Sequence, residues 1–240
     1  MTDPVTVISP AAHSLRSPVR ASRRPSWLLW LLVACLLCSV MPAIHQHVFG
    51  STRVQEAGVD QVEEFLGVEL GGGARDALRQ GLAQRSPWGE GATAVAGTLI
   101  GVVLAGMVLQ IGSLFALAEI SAVQTLEAAA LANLSDTCMR VAIWLLNIVV
   151  RGVAGAPAAS WQFSGAVGLA RFVRGTHGIT GALVHAVDLT VFIGVVVGAT
   201  SLMISDAKLP FSRALLIAAG WPAISIILRA FLFLAAGLAA

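Results

Sequence analysis

Long apolar stretches dominate the chain and alternate with shorter polar segments. At a rise of about 1.5 Å per residue, roughly 20 apolar residues cross the hydrocarbon core of a bilayer, which is about 30 Å thick. The alternating pattern of a barrel strand is absent, and a helix satisfies its own backbone hydrogen bonds in lipid. The sequence therefore predicts an all-α, polytopic membrane protein with five transmembrane helices. The predicted spans are residues 26–44, 93–117, 139–156, 179–204 and 213–238.

The polar segments predict a tail and one long loop. Residues 1–25 hold four prolines among serines and arginines, so we expect a short disordered tail ahead of a transmembrane domain at 26–240. Within that domain the loop of residues 45–92 begins with an amphipathic, acidic pattern that predicts a helix, and a second short helix is expected after the glycines at 71–73. Two roles stay open for this loop: packing over the ends of the spans, or docking to a partner protein.

Arginines in the tail predict the orientation of the chain. Positively charged residues close to a span stay on the cytoplasmic side of the membrane, which places the N-terminus in the cytoplasm. Five spans then place the C-terminus and the 45–92 loop outside. The arginines are Arg16, Arg20, Arg23 and Arg24.

Glycines recur at helical spacing in two predicted spans. Gly97 and Gly101 form a G-x-x-x-G motif in the second span, and Gly106 extends it. Gly194 and Gly198 repeat the spacing in the fourth span. Small residues four apart share one helix face and allow close approach of another backbone. We expect both helices at crowded contacts, either within the bundle or between chains.

Asp188 is the only acidic residue in any predicted span. A carboxylate in lipid is expensive unless it is paired, so the sequence predicts a basic partner at the same depth. Arg229 is the first choice, because the two residues lie equally far from the hairpin between the last two spans, and Arg151 in the third span is the competitor. His185 precedes Asp188 by about one helical turn and shares its face. This polar set is interpreted first as a structural clasp, and alternatively as a proton path or a partner-binding patch.

The composition and the motifs of the chain limit the classes of function that we expect. Hydrophobic residues make up 57% of the chain, more than a soluble domain carries, and no basic cluster interleaved with aromatics suggests a nucleic-acid partner. No nucleophile or metalloprotease motif occurs, so we expect no catalytic residues, no enzymatic activity and no cofactor. His45 and His47 lack a nearby third ligand, so no metal site is predicted. Abundant alanine and glycine, a single lysine and no tyrosine are typical of a high-GC bacterial genome.

Three stretches carry a resemblance to a known family. The first is "RRPSWLLWLLVACLL", in which Pro-Ser-Trp opens the first span after a polar tail. The second is "LFALAEISAVQTLEAAALANLSDTCMRVAIWLL", with an acidic-small turn and a short helix leading into the third span. The third is "LVHAVDLTVFIGVVVGATSLMISDAKLPFSRALLIAAGWPAISIIL", with Asp-Leu early in the fourth span and a Trp in the fifth. In these features nearly the whole chain resembles the bacterial branch of the Yip1 family of five-span membrane proteins.

The resemblance implies a role and also has gaps. Val123 and Gln124 replace the aromatic and lysine usual in the second cytoplasmic loop, and Thr190 follows Asp188-Leu189 where the family has an aromatic. A chain without tyrosine cannot carry the Tyr-Gly-Pro-Phe-Trp signature of eukaryotic members. The interaction of those members with small GTPases is therefore not expected for this chain. For bacterial members the resemblance implies a non-enzymatic inner-membrane protein that assists other membrane machinery, such as an export transporter.

Two functional hypotheses follow. The first is a scaffold or accessory subunit that contacts lipids and other membrane proteins, or a second copy of itself, through its glycine faces and the 45–92 loop. The second is a small proton-coupled carrier or channel that uses His185, Asp188, Arg229 and Arg151.

Overall fold

The protein is an all-α polytopic chain. A computed structural model describes residues 26–66, 69–156, 158 and 187–238, and at 64–66, 229 and 232–238 the description covers the backbone only. These residues contain seven helices and no strand. The helices are α1 Trp27–Phe49, α2 Ser51–Leu66, α3 Gly72–Ala83, α4 Pro87–Phe115, α5 Ala122–Gly155, α6 Val191–Ser205 and α7 Phe211–Leu238.

Among the described helices, α1, α4, α5 and α7 are long and apolar enough to cross a membrane, and α6 is apolar but shorter. Their outward faces carry exposed apolar side chains such as Leu32, Met107 and Leu216. Such a surface is unfavourable in water and suits a lipid environment.

Three of the five predicted spans coincide closely with helices. The spans predicted at 26–44, 93–117 and 213–238 correspond to α1, α4 and α7. The other two predicted spans differ from the described helices, and both differences concern where a helix begins.

The third span is part of a much longer helix than the predicted 139–156. Its helix, α5, begins 17 residues earlier at Ala122, because Ser121 and Gln124 form a capping box that satisfies the first backbone N–H groups. The alanine-rich segment that follows has high helical propensity. α5 therefore spans 34 residues with a kink at Gly152, whose φ of 66° and ψ of 165° are non-helical, and its part before Gly152 is about 45 Å long.

The fourth predicted span, 179–204, is not one continuous helix. Its described helix, α6, begins at Val191, and residues 187–190 are non-helical. Residues 179–186 lie outside the described part of the chain. Asp188 thus stands just before the start of a helix and not in the middle of one.

Helices α4, α5, α6 and α7 form a ring in which each packs against its neighbours, and α1 packs outside the ring against α4 and α5. Neighbours in sequence run antiparallel: Ala132 of α5 faces Gly194 of α6, and Ala128 faces Gly198. The core between the helices includes Val102, which is fully buried.

The glycines predicted to mark crowded contacts divide into two groups. A Cβ built on Gly194 would lie 2.9 Å from the carbonyl oxygen of Ala132, and one built on Gly106 would lie 2.7 Å from Cδ2 of Leu126. A Cβ on Gly198 would meet Ala132 at 3.6 Å, which is ordinary contact distance. These three positions pack within the bundle. At Gly97 and Gly101 a Cβ would meet no described atom within 4 Å.

The 45–92 loop folds as the helical pair α2 and α3. The acidic face of α2 pairs with arginines of α3: Arg75 with Asp60 at 2.6 Å and with Glu63 at 3.6 Å. Arg53 of α2 donates to the carbonyl oxygens of Val153 at 2.5 Å and Ala154 at 2.7 Å, and so caps the C-terminal end of α5. α2 therefore packs on the end of the bundle, at α1 and α5, and α3 packs on α2, while docking of the loop to a partner protein stays a prediction.

Candidate functional site

Asp188 pairs with Arg140, a residue that is not among its predicted partners. Nη2 of Arg140 donates to Oδ2 of Asp188, and Nε of Arg140 donates to Oδ2 of Asp136 at 3.0 Å. The Asp188 side chain is 8% exposed and that of Arg140 is 14% exposed, so this is a buried ion pair. We call Asp136, Arg140, Asp188 and Thr190 the α5–α6 clasp.

Local structure places each group of the clasp. Asp136 and Arg140 stand four residues apart on α5, so their side chains lie on one face. Asp188 sits at the N-terminal end of α6, where the helix dipole favours a carboxylate, and its Oδ1 accepts from the backbone N–H of Thr190 at 3.1 Å. This bond also satisfies a backbone donor in the non-helical segment before α6.

Thr190 links the two carboxylates. Its hydroxyl lies 2.6 Å from Oδ1 of Asp136 and 3.0 Å from Oδ1 of Asp188. A hydroxyl has one proton, so it donates to only one of these oxygens at a time. Among the described residues, the clasp therefore sets two carboxylates against one guanidinium and one shared hydroxyl.

Helical rise explains why Arg140 and Asp188 meet. The backbone N–H of Glu119 donates to Oδ2 of Asp206 at 3.2 Å, so the loop before α5 and the loop after α6 lie at the same end of the bundle. From that end, Arg140 is 18 residues into α5, about 27 Å, and Val191 is 14 residues back from Ser205, about 21 Å, with Asp188 three residues further along in the turn before α6.

The other predicted partners stand as follows. Arg151 is exposed and lies 11 residues beyond Arg140 on α5, about 16 Å along the helix. Arg229 lies in α7, but its side chain is outside the described part of the structure, as is the whole of His185. Pairing of Asp188 with Arg229 or His185 stays a prediction.

Arg140 was missed because the third span was predicted to begin at residue 139, which placed Arg140 at the membrane surface. The Asp136-x-x-x-Arg140 spacing was a usable signal, since an acid four residues before a base indicates one continuous helix face.

A cavity of about 140 Å³ lies inside the ring of α4 to α7, next to the clasp. Small and apolar side chains form most of its wall, because glycine and alanine at the helix contacts leave space that no neighbour fills. Asp136 is the only charged residue of the wall among those described. The other polar or aromatic members of the wall are Asn133, Ser225 and Trp221.

Asn133 stands one turn before Asp136 on α5, and its Oδ1 is buried without a hydrogen-bond partner among the described residues. A buried acceptor without a donor costs about 1–3 kcal/mol. The cavity is therefore rich in acceptors: one carboxylate and one unsatisfied amide oxygen stand in a mostly apolar wall.

A second polar centre lies nearer the α2–α3 end of the bundle. Nε1 of Trp144 donates to Nδ1 of His45 at 2.9 Å, and Nε2 of His45 lies 3.0 Å from the carbonyl oxygen of Ala158. The indole is a donor only, so Nδ1 accepts and Nε2 carries the proton that goes to Ala158. His45 is thus a neutral, fully bonded core histidine, and no cluster of three or more metal-ligating side chains occurs in the part of the chain that is described.

Comparison with known proteins identifies no relative, since no family model, no curated protein and no solved structure matches the chain.

Proposed function

We propose that this chain is a Yip1-like integral protein of the bacterial inner membrane that acts without enzymatic chemistry, as a scaffold or accessory subunit of other membrane machinery. The observation that carries the proposal is the contrast between its two G-x-x-x-G motifs. Gly194 and Gly198 are used inside the bundle and Gly101 borders the cavity between the helices, whereas Gly97 is exposed and has open space where a side chain would be.

The open motif lies on a helix that faces lipid. Gly97 is exposed, and so are its neighbours Ala96 and Ile100 on α4. In lipid, helices associate by close van der Waals packing, because no hydrophobic force drives them together. An exposed glycine such as Gly97, where a Cβ would meet no described atom, is suited to close contact with the helix of another membrane protein or of a second copy of this chain.

A leucine at Gly97 tests the proposal. Gly97→Leu is expected to fold normally, since residue 97 is exposed and nothing within 4 Å obstructs a Cβ there. It is expected to lose the chain that co-purifies with the wild type from native membranes after chemical crosslinking. Val103→Leu is the matched control, because Val103 is exposed on α4 about 120° around the helix from Gly97.

Two outcomes would contradict the accessory role. One is a wild-type protein that purifies at native expression only as a lone monomer. The other is a crosslinked partner that is retained equally by Gly97→Leu and by Val103→Leu.

A second candidate function, a small proton-coupled carrier, is favoured by the position of the clasp. Asp136 belongs both to the clasp and to the cavity wall, so ionisable groups meet an internal space inside the membrane-spanning ring. Intramembrane carboxylates in such places often mark ion or proton paths.

Flux measurement separates the two functions. If the chain is a carrier, Asp188→Asn abolishes proton-linked flux in liposomes while the protein stays folded. An accessory protein shows no such flux in the wild type, and Asp188→Asn then changes stability alone.

A further inference from the structure

We propose that the cavity between α4, α5, α6 and α7 is a binding site for a small organic ammonium ion. This goes beyond an accessory role, because it assigns a ligand to the interior of the bundle and needs no second protein.

The negative charge of the cavity wall favours a positively charged ligand. Asp136 is the only charged side chain among the described residues that line the cavity. Arg140 neutralises part of the Asp136 charge by donating to Oδ2 of that carboxylate. The Oδ1 atoms of Asp136 and Asp188, however, share the single hydroxyl proton of Thr190. Each carboxylate oxygen accepts up to two hydrogen bonds, so Asp136 has acceptor capacity left for a charged donor.

The uncharged polar groups of the cavity wall favour a ligand that carries hydrogen-bond donors. The Oδ1 atom of Asn133 is buried without a hydrogen-bond partner among the described residues. Since no described residue supplies a donor, a ligand or a water molecule can satisfy this acceptor. An ammonium group has donors and no acceptor, which matches this wall better than a carboxylate or a phosphate does.

Size and polarity limit the rest of the ligand. A cavity of about 140 Å³ is close to the volume of about 150 Å³ that accommodates benzene, so it has room for about six non-hydrogen atoms. Apolar side chains of Val102, Ala105 and Val195 suit a short alkyl chain, and Trp221 also lines the cavity. The chemical class is therefore a primary ammonium with a short alkyl chain, for which n-propylammonium is a suitable probe.

Thermal unfolding of the full-length protein in detergent tests the site, with n-propylammonium chloride as the probe at constant ionic strength. A ligand that binds the folded state raises the unfolding midpoint in a concentration-dependent way. We expect this rise with n-propylammonium and not with 1-propanol, which has the same size without the charge. Tetrabutylammonium, which is too large for the cavity, is expected to have no effect.

Two variants locate the binding. Asp136→Asn is expected to weaken n-propylammonium binding about tenfold or more, because it removes a charge-assisted hydrogen bond. Glu119→Gln, which removes one negative charge at an exposed position outside the cavity, is expected to bind as the wild type does. An absent shift, an equal shift with 1-propanol, or unchanged binding by Asp136→Asn would overturn the proposal.

If Asp136→Asn does not fold, a pair of valine substitutions takes its place. Gly101 borders the cavity and Gly97, one turn away on α4, does not. Gly101→Val is expected to weaken binding by filling the space, and Gly97→Val to leave it intact; equal binding by both would overturn the site. Binding without flux would refute the carrier and leave this site standing.

Discussion

At the residue scale, Arg140 and Asp188 form a buried ion pair, and its contribution to the free energy of unfolding depends on the presence of both residues. Removing one member of such a pair strands the other charge and costs about 3–5 kcal/mol. Asp188→Asn and Arg140→Gln are each expected to lower the free energy of unfolding by about 3 kcal/mol. The double variant should lose less than the sum, with a coupling of about 1 kcal/mol or more, measured by equilibrium unfolding in detergent.

Two further arginines serve as comparisons in the same double-mutant cycle. Arg151→Gln changes an exposed residue of α5 and is expected to be nearly neutral and additive with Asp188→Asn. Arg229→Gln tests the partner that the sequence favoured, and coupling there would make Arg229 a second partner. Strict additivity between Asp188 and Arg140 would contradict the clasp.

At the element scale, the contact between α5 and α6 depends on the backbone approach at two glycines. A methyl group on Gly194 would stand 2.9 Å from the Ala132 carbonyl oxygen, so Gly194→Ala must push the helices apart and is expected to cost about 1–3 kcal/mol. At Gly198 the nearest atom would be 3.6 Å away, so Gly198→Ala is expected to be neutral or slightly stabilising, since alanine favours the helix.

The two alanine variants are compared by their thermal unfolding midpoints in detergent. They carry the same change on the same helix, so a difference between them reports packing and not helical propensity. Equal midpoints for the two variants would mean that α6 does not approach α5 this closely.

At the scale of the whole molecule, the alternating directions of the long helices predict that the loop between α6 and α7 lies on the same side of the membrane as the N-terminal tail. Lys208, the single lysine of the chain, is exposed in that loop. Since the arginine-rich tail is expected in the cytoplasm, a membrane-impermeant amine reagent should not label Lys208 in spheroplasts and should label it after permeabilisation.

Peptide mapping distinguishes Lys208 from the amino terminus in this experiment, and Lys208→Arg is the control for specificity. Labelling of Lys208 in intact spheroplasts would reverse the proposed orientation.

The predictability of the fold differs from helix to helix. The apolar runs of α1, α4 and α7 are long and uninterrupted, so their lengths alone locate them. The start of α5 depends on a capping box at Ser121 within a polar segment, which hydropathy does not detect. The start of α6 depends on Asp188, whose carboxylate bonds the backbone of Thr190 and stands before the helix.

The sequence predicted that Asp188 has a basic partner, but it did not identify Arg140 as that partner. Asp188 was recognised because a lone acid in an apolar run needs a partner wherever it lies. Its described partner, Arg140, was not recognised. The depth of Arg140 was counted from a predicted span start at residue 139, whereas α5 begins at Ala122. The two G-x-x-x-G motifs are alike in sequence, yet a Cβ on Gly194 would meet the backbone of α5 and a Cβ on Gly97 would meet no described atom within 4 Å.

The sequence by itself determined the class of this protein, an all-helical chain built for a membrane, because apolar length and internal backbone hydrogen bonding are local properties of each segment. It also determined that Asp188 must be neutralised. The tertiary structure alone decided that Arg140 pairs with it, which glycine face is used inside the bundle, and where the cavity lies. Those features depend on the depth and rotation of one helix against another, which packing sets and no single segment encodes.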